Sequence, residues 1–329
     1  MVHSRSAVTL RTLSPTPAPP PPPPPLSRRP RPRRSIGFLE GAIWFLVGMA
    51  GGAAIILCLV VAWFLLVSAP RTNILLLGVD RRPGESGPSR TDTMILTSVY
   101  PRGPSVAMLS IPRDLWVTLP DGSENRINTA YHFAELEEPG SGPTAAMSTV
   151  RANFGVSVHR YVLIDFEGFV RLVDAAGGIK IDVPERLVDF EFPTDDFGVT
   201  TVTIEAGPQQ MDGLTSLAYA RIRHGSSDFK RAERQQLVIE AFVAQLLRPA
   251  TILRYPAIIA ATAGSVGSDI SPLLALRLAP TLLRVGPSGI ERRVIQDEMV
   301  QPYITSDGAS VQLPVWEAIN PALLELFGE

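Results

Sequence analysis

Cysteine and histidine are nearly absent from this chain, and several kinds of chemistry go with them. Its 329 residues include one cysteine, Cys58, and four histidines: His3, His132, His159 and His224. Cys58 lies inside a long apolar run, so no disulfide can staple the region that follows, and its stability must come from packing. The histidines show no His/Cys ligand spacing, which argues against a zinc site. A Gly-x-Ser-x-Gly elbow is missing, as are a cysteine nucleophile outside the apolar run and a His paired with Ser at a telling position. Acidic residues are missing from the first 36 positions, and formal charge is missing from Gly41 to Ala69.

The uncharged run exceeds the roughly 20 residues a helix needs to cross a bilayer, and a soluble core helix is rarely apolar on every face for so long. A cleaved signal peptide has a core of only about 7 to 15 residues, so a retained anchor is expected over 37–69. Arg5, Arg11, Arg28, Arg29, Arg31, Arg33 and Arg34 precede it. Positive flanks stay in the cytoplasm, which puts the N-terminus inside and everything after Ala69 outside, in a single-pass cell-membrane protein. The formal charge is −2, from 30 basic and 32 acidic residues. Without those seven arginines the rest of the chain is at about −9, which excludes an ordinary nucleic-acid binder.

Residues 1–36 form a low-complexity tail with seven consecutive prolines, Pro19 to Pro25. Such a run makes a stiff polyproline II rod, a spacer or else an SH3-like ligand, and predicts no packed core. Beyond the anchor, 70–329 shows no internal repeat or second linker and is expected to be one domain. Strands are predicted at Ile74–Val79, Thr93–Tyr100 and Val106–Ile111, whose unbroken Val/Ile/Leu content suits a sheet covered on both faces. Helices are predicted at Thr144–Asn153, Glu167–Ala176, Asp228–Leu247 and Ala250–Ala263, with Gly177-Gly178 and Pro249 as stops. The order implies the α/β class, an αβα sandwich with a central mixed β-sheet. Asp307-Gly308 is expected to turn a hairpin between Val300 and Pro314.

Charges gather where the predicted strands end: Asp80 with Arg82, Arg90 with Asp92, and Arg113 with Asp114. Strand ends are where loops converge on a site in an open α/β sheet. A second group follows in Ala220-Arg-Ile-Arg223, where an extended backbone would aim Arg221 and Arg223 at one anion. On the helix expected from Asp228, capped by Ser227 or Asp228, Arg231, Arg234 and Gln235 share one sector. So many guanidinium groups repel one another unless a highly charged anion is expected. Pyrophosphate meets that requirement, with Asp80 and Asp92 holding magnesium, or manganese in its place, against it. With no covalent nucleophile in sight, in-line phosphoryl transfer driven by positioning and charge is the natural mechanism.

The motifs Asn73-Ile-Leu-Leu-Leu-Gly-Val-Asp80 with Arg82, Arg90-Thr-Asp92, Ser110-Ile-Pro-Arg-Asp114, Ile127-Asn-Thr-Ala-Tyr131, Ala220-Arg-Ile-Arg223 and Asp228-Phe with Arg231, Arg234 and Gln235 occur in this order. Over roughly 72–248 the chain thereby resembles the LytR-CpsA-Psr family. The resemblance implies a magnesium-dependent phosphotransferase on the outer face of the cytoplasmic membrane. Such an enzyme moves a glycopolymer, for example teichoic acid or capsule, from a polyprenyl-pyrophosphate carrier to peptidoglycan. It implies that Asp80 and Asp92 bind the metal, that Arg82, Arg90, Arg113, Arg221, Arg223 and Arg231 hold the pyrophosphate with Gln235, and that Asp92 or Asp80 takes the acceptor's proton. Arg234 stands beside Arg231 as an alternative member of the clamp. The family's polyprenyl pocket would correspond to Phe166–Ile179, with Phe169, Val170 and Val173 as wall residues. A hydrolase of lipid pyrophosphates and a non-catalytic membrane-anchored sensor of polyprenyl phosphates are the competing functions.

Overall fold

Apolar residues on both faces of three consecutive strands dictate a buried sheet, and the computed structural model is built around one. It describes residues 37–66, 69–80, 87, 89–194, 198–222, 228–264 and 266–328. The tail 1–36 lies outside them. Helix α1, Phe38–Leu66, is long and apolar enough to cross a membrane. At 1.5 Å per residue it measures about 43 Å.

In the following domain, six strands form a mixed sheet in the order β11-β6-β1-β2-β3-β12. These are β1 (Thr72–Val79), β2 (Thr91–Tyr100), β3 (Ser105–Ser110), β6 (Arg160–Asp165), β11 (Val266–Ser268) and β12 (Ile290–Val294). Strand β2 runs antiparallel to β1 and β3, whereas β6 is parallel to β1 and β12 is parallel to β3. Two-stranded ribbons join β4 (Trp116–Thr118) to β5 (Glu124–Arg126), β7 (Ile179–Val183) to β10 (Gly207–Met211), β8 (Leu187–Pro193) to β9 (Val199–Ile204), and β13 (Val300–Ile304) to β14 (Ser310–Pro314). The last is the hairpin expected around Asp307-Gly308, with Gly308 at a φ of 84°.

Successive side chains of a strand point to opposite faces, and here both faces are covered. Leu75, Leu77, Met94, Leu96 and Leu109 pack against α2 (Thr129–Glu137), α3 (Gly142–Phe154) and α9 (Trp316–Phe327). Ile74, Ile95, Val99 and Met108 meet α6 (Asp228–Leu246) and α8 (Pro272–Val285) on the other side. Each buried side chain of this size is worth about 1.5–3 kcal/mol, so the sheet needs no disulfide. A third cluster joins α4 (Phe166–Ala176), α5 (Gly213–Arg221) and α6 to the β7–β10 ribbon. Helix α4 begins where the Asp165 carboxylate accepts a hydrogen bond from Gly168 N at 2.7 Å, and it ends at Gly177, φ 91°.

Two expected elements differ. Ala250–Ala263 is not one helix: a 3-10 turn over Pro249–Arg254 precedes α7 (Tyr255–Thr262), because prolines at 249 and 256 break the hydrogen-bond ladder. Ala220-Arg221 is not extended but closes α5, and among the described residues Ile222, φ −51° and ψ 127°, is the one that leaves the helical region after it.

Candidate active site

The antiparallel and parallel pairings bring the end of β1, the start of β2 and the ends of β3, β6 and β12 to the same end of the sheet. Asp80 follows β1 directly. Asp92 occupies a bulge: Gly78 faces Thr93 and Val79 faces Thr91, which leaves Asp92 as the extra residue. A bulge twists the strand locally and re-aims the side chain it carries. Gly78 opposite is closely packed, since a Cβ there would lie 3.0 Å from Thr93 Cβ.

Arg113, just past β3, donates from Nη1 to Asp92 Oδ1 at 2.5 Å. Its Nε lies 3.5 Å from Asp114 Oδ2, and Asp114 Oδ1 lies 3.3 Å from Arg126 Nε. Asp114 is therefore a bracket between two arginines, held in turn by Gln312 N donating to its backbone carbonyl at 3.0 Å. Burial alone would lower the Arg113 pKa, but Asp92, by charge and hydrogen bond, with Asp114 and Asp228, raises it above the ordinary value. The guanidinium is thus a fixed positive charge at the mouth of the crevice.

Helix α6 supplies the opposite wall. Asp92, Arg113, Asp228, Arg231 and Gln235 line one cavity of about 240 Å³ with Ser110 and Gln312. Arg231 is buried, and its Nη1 lies 3.0 Å from Asp228 Oδ1, one turn earlier. Gln236, also buried, donates to Ser110 Oγ at 2.9 Å and to the Arg293 carbonyl at 2.7 Å, which ties the helix to β3 and β12. A larger groove of about 710 Å³ lies between α6 and β12. Its arginines are paired, Arg292 with Glu240 at 3.2 Å and Arg293 with Glu325 at 3.4 Å, as are those of the smaller cavity; the smaller cavity is the one that gathers the strand-end charges Asp92 and Arg113.

The remaining expected site residues divide into three groups. Arg82 and Arg223 lie outside the described residues, together with His224, Ser227 and most of the Pro83–Ser89 loop. Arg90 is exposed ahead of β2, and Arg221 stacks on Phe166 at 4.3 Å and Phe192 at 5.3 Å; neither lines the cavity. Phe166 follows Asp165, which pairs with Val79, so Arg221 nevertheless stands at the same end of the sheet as Asp80.

Arg234 is not brought into the crevice. It is buried and donates through Nε to the Tyr219 carbonyl at 3.2 Å and through Nη2 to the Ile222 carbonyl. Burial lowers its pKa. Of the two arginines expected at this clamp position, Arg231 faces the cavity and Arg234 holds the end of α5. Of the expected lipid-wall residues, Val173 is fully buried in the α4–α5–α6 core and cannot face an open pocket here, whereas Phe169 and Val170 are half-buried. The roles of Arg126 as an Asp114 partner and of Gln236 as a strut carry no local sequence signal. The Asp228/Arg231 spacing of i, i+3 does carry one.

The donor set suits a hard divalent cation only with help. Asp80 has one carboxylate oxygen screened from solvent, and Asp92 is engaged by Arg113. Among the described residues, no group of three or more His, Cys, Asp or Glu side chains could hold a metal. One or two carboxylates completed by phosphate oxygens and water is the usual magnesium arrangement; Asp92 lines the cavity and Asp80, at the same end of the sheet, does not.

A model of the LytR_cpsA_psr family matches residues 67–320. The chain is similar to the polyisoprenyl-teichoic acid–peptidoglycan teichoic acid transferase TagU of Oceanobacillus iheyensis, with 34% identity over 200 residues covering 60% of this chain and 58% of that protein. It is also similar to the protein of that name from Enterococcus faecalis, at 31% over 205 residues, 60% and 61% of the two chains. It thus spans about three fifths of the length of these relatives. The crystal structure of B. subtilis TagV superposes with a TM-score of 0.63 at 25% identity, covering 78% of this chain and 97% of that one.

Proposed function

The chain belongs to the LytR_cpsA_psr family, and from that membership we propose that it is a phosphotransferase that moves a glycopolymer from a polyprenyl-pyrophosphate carrier to peptidoglycan. The observation that carries this reading is the single crevice at the strand ends where Asp92, Arg113, Arg231 and Gln235 converge. The pyrophosphate lies against the guanidinium groups of Arg113 and Arg231; Arg82, Arg90, Arg221 and Arg223 are the further clamp members the family resemblance implies, Arg90 and Arg221 standing outside the cavity lining. Fixed cations in a cavity this enclosed stabilise developing phosphoryl charge without reorganising. A sugar hydroxyl of the acceptor attacks the phosphorus that bears the glycan. The bond to the polyprenyl phosphate breaks, and the proton passes to the carboxylate of Asp92 or Asp80. Magnesium on Asp80 and Asp92 would supply further charge neutralisation at the pyrophosphate.

The arginine-rich tail before α1 supports an N-terminus in the cytoplasm, and the domain after Ala69 would then work outside, where carrier and wall meet. The half-buried Phe169 and Val170 of α4 are the residues offered to the polyprenyl chain.

The test is turnover by the full chain in detergent with a lipid-pyrophosphate glycan, magnesium and peptidoglycan fragments. A phosphodiester-linked product is expected, lost on chelation and restored by magnesium. Free phosphate without linkage would assign a hydrolase instead, and tight binding without turnover a sensor.

A further inference from the structure

Helix α8 is apolar on both sides, although only one side packs. Its inner face, with Leu274, Leu278 and Leu282, covers the sheet. Its outer face carries Leu273, Leu276 and Leu283, each about 60% exposed (61%, 60% and 61%). Spacings of three and seven residues put these leucines in one stripe along the helix. Pro280 sits within the same stripe. A soluble surface helix would place charge there, so the stripe calls for a partner.

Two observations identify that partner. The first is charge: no acidic residue occurs between Ile270 and Ile290, and Arg277 and Arg284 are the charged residues of that stretch. In a domain of net negative charge, this is a local reversal of sign. Leucines flanked by arginines are the composition of a helix lying in the headgroup layer, with the guanidinium groups reaching anionic lipid and the stems covering apolar surface. The second is connectivity. Ala69 is buried in the same cluster as Leu278, so the chain joins the α8 side of the domain almost as soon as α1 ends at Leu66.

We infer that the outer face of α8 is a membrane-contact surface, seated in the headgroup layer of an anionic bilayer. The inference rests on α1 being a membrane anchor. It adds a second attachment point, which fixes how the domain is presented to the bilayer instead of leaving it to swing on a tether. Ser271 holds the helix start in place by accepting from Leu274 N at 3.2 Å. That keeps the stripe rigid.

The test places a nitroxide on Leu276→Cys in the full chain with Cys58→Ala, reconstituted in phosphatidylglycerol-containing vesicles. Leu324→Cys serves as the control, since Leu324 is 73% exposed on α9, which packs on the opposite face of the sheet. Collision with oxygen relative to a water-soluble nickel chelate should be several-fold greater at position 276 than at 324. Adding Arg284→Glu, or removing the anionic lipid, should move the 276 label toward water. Equal water access at both positions overturns the inference while leaving the anchor intact. Spin–spin broadening at 276 overturns it in favour of a second copy of the chain. Failure of the protein to float with vesicles overturns the anchor and this inference together.

Discussion

Arg234→Met should unfold the domain more readily without touching the substrate. The Arg234 guanidinium is buried and donates to the carbonyls of Tyr219 and Ile222, the last turn of α5 and the residue that follows it. Those carbonyls belong to the group of helix-end acceptors that no intrahelical donor reaches. Hydrogen bonds from a charged donor contribute about 1.5–3 kcal/mol each, and two are lost. Relief of the cost of burying the guanidinium, visible in its lowered pKa, offsets part of this. A net loss of roughly 2–4 kcal/mol follows, which for a domain of this size lowers Tm by on the order of 5–15 °C. Near-UV circular dichroism of the detergent-solubilised chain reads the melt, and lipid-pyrophosphate binding below Tm should stay near the wild-type level. An unchanged Tm combined with lost pyrophosphate binding would refute the reasoning and return Arg234 to the clamp.

Arg113→Ala should fold normally, because its side chain is partly exposed (24%), yet lower transfer by on the order of 100-fold through loss of charge stabilisation at the crevice; product formation under saturating donor checks it. Asp212 caps α5, and hydrogen bonds from the Thr215 side chain and backbone hold its pKa below the ordinary value. A depressed folded pKa stabilises at pH above the unfolded value of about 3.9 and loses that effect as pH falls through the folded value. Asp212→Ala should therefore cost about 1 kcal/mol at pH 7 and progressively less as pH falls below the unfolded value of about 3.9, read as urea midpoints at neutral and acid pH.

Much of this protein was legible along the chain because local pattern and global fold agree. The apolar runs at 74–79, 93–100 and 106–111 became β1, β2 and β3, since strands covered on both faces are predominantly apolar rather than alternating. Gly177 stops α4 because the left-handed conformation there suits glycine. The break after α6 was legible only in part: Pro249 marked it, but the 3-10 turn that follows depends on a second proline inside what reads as a helical stretch. The Ala220-Arg-Ile-Arg segment misled because two arginines around an isoleucine satisfy a strand's period of two as well as a helix end.

The site divides in the same way. Sequence alone determined the residue types, the long uncharged run and the strand-end position of the charges, because composition and order along the chain are enough to place them. The tertiary structure decided which charges meet. Asp92 reaches Arg113 because a bulge in β2 turns it there. Arg231 faces the crevice and Arg234 turns away, although they lie three residues apart on one helix. That separation depends on which side of α6 packs against α5, and packing between distant segments leaves no mark on the local pattern of either one.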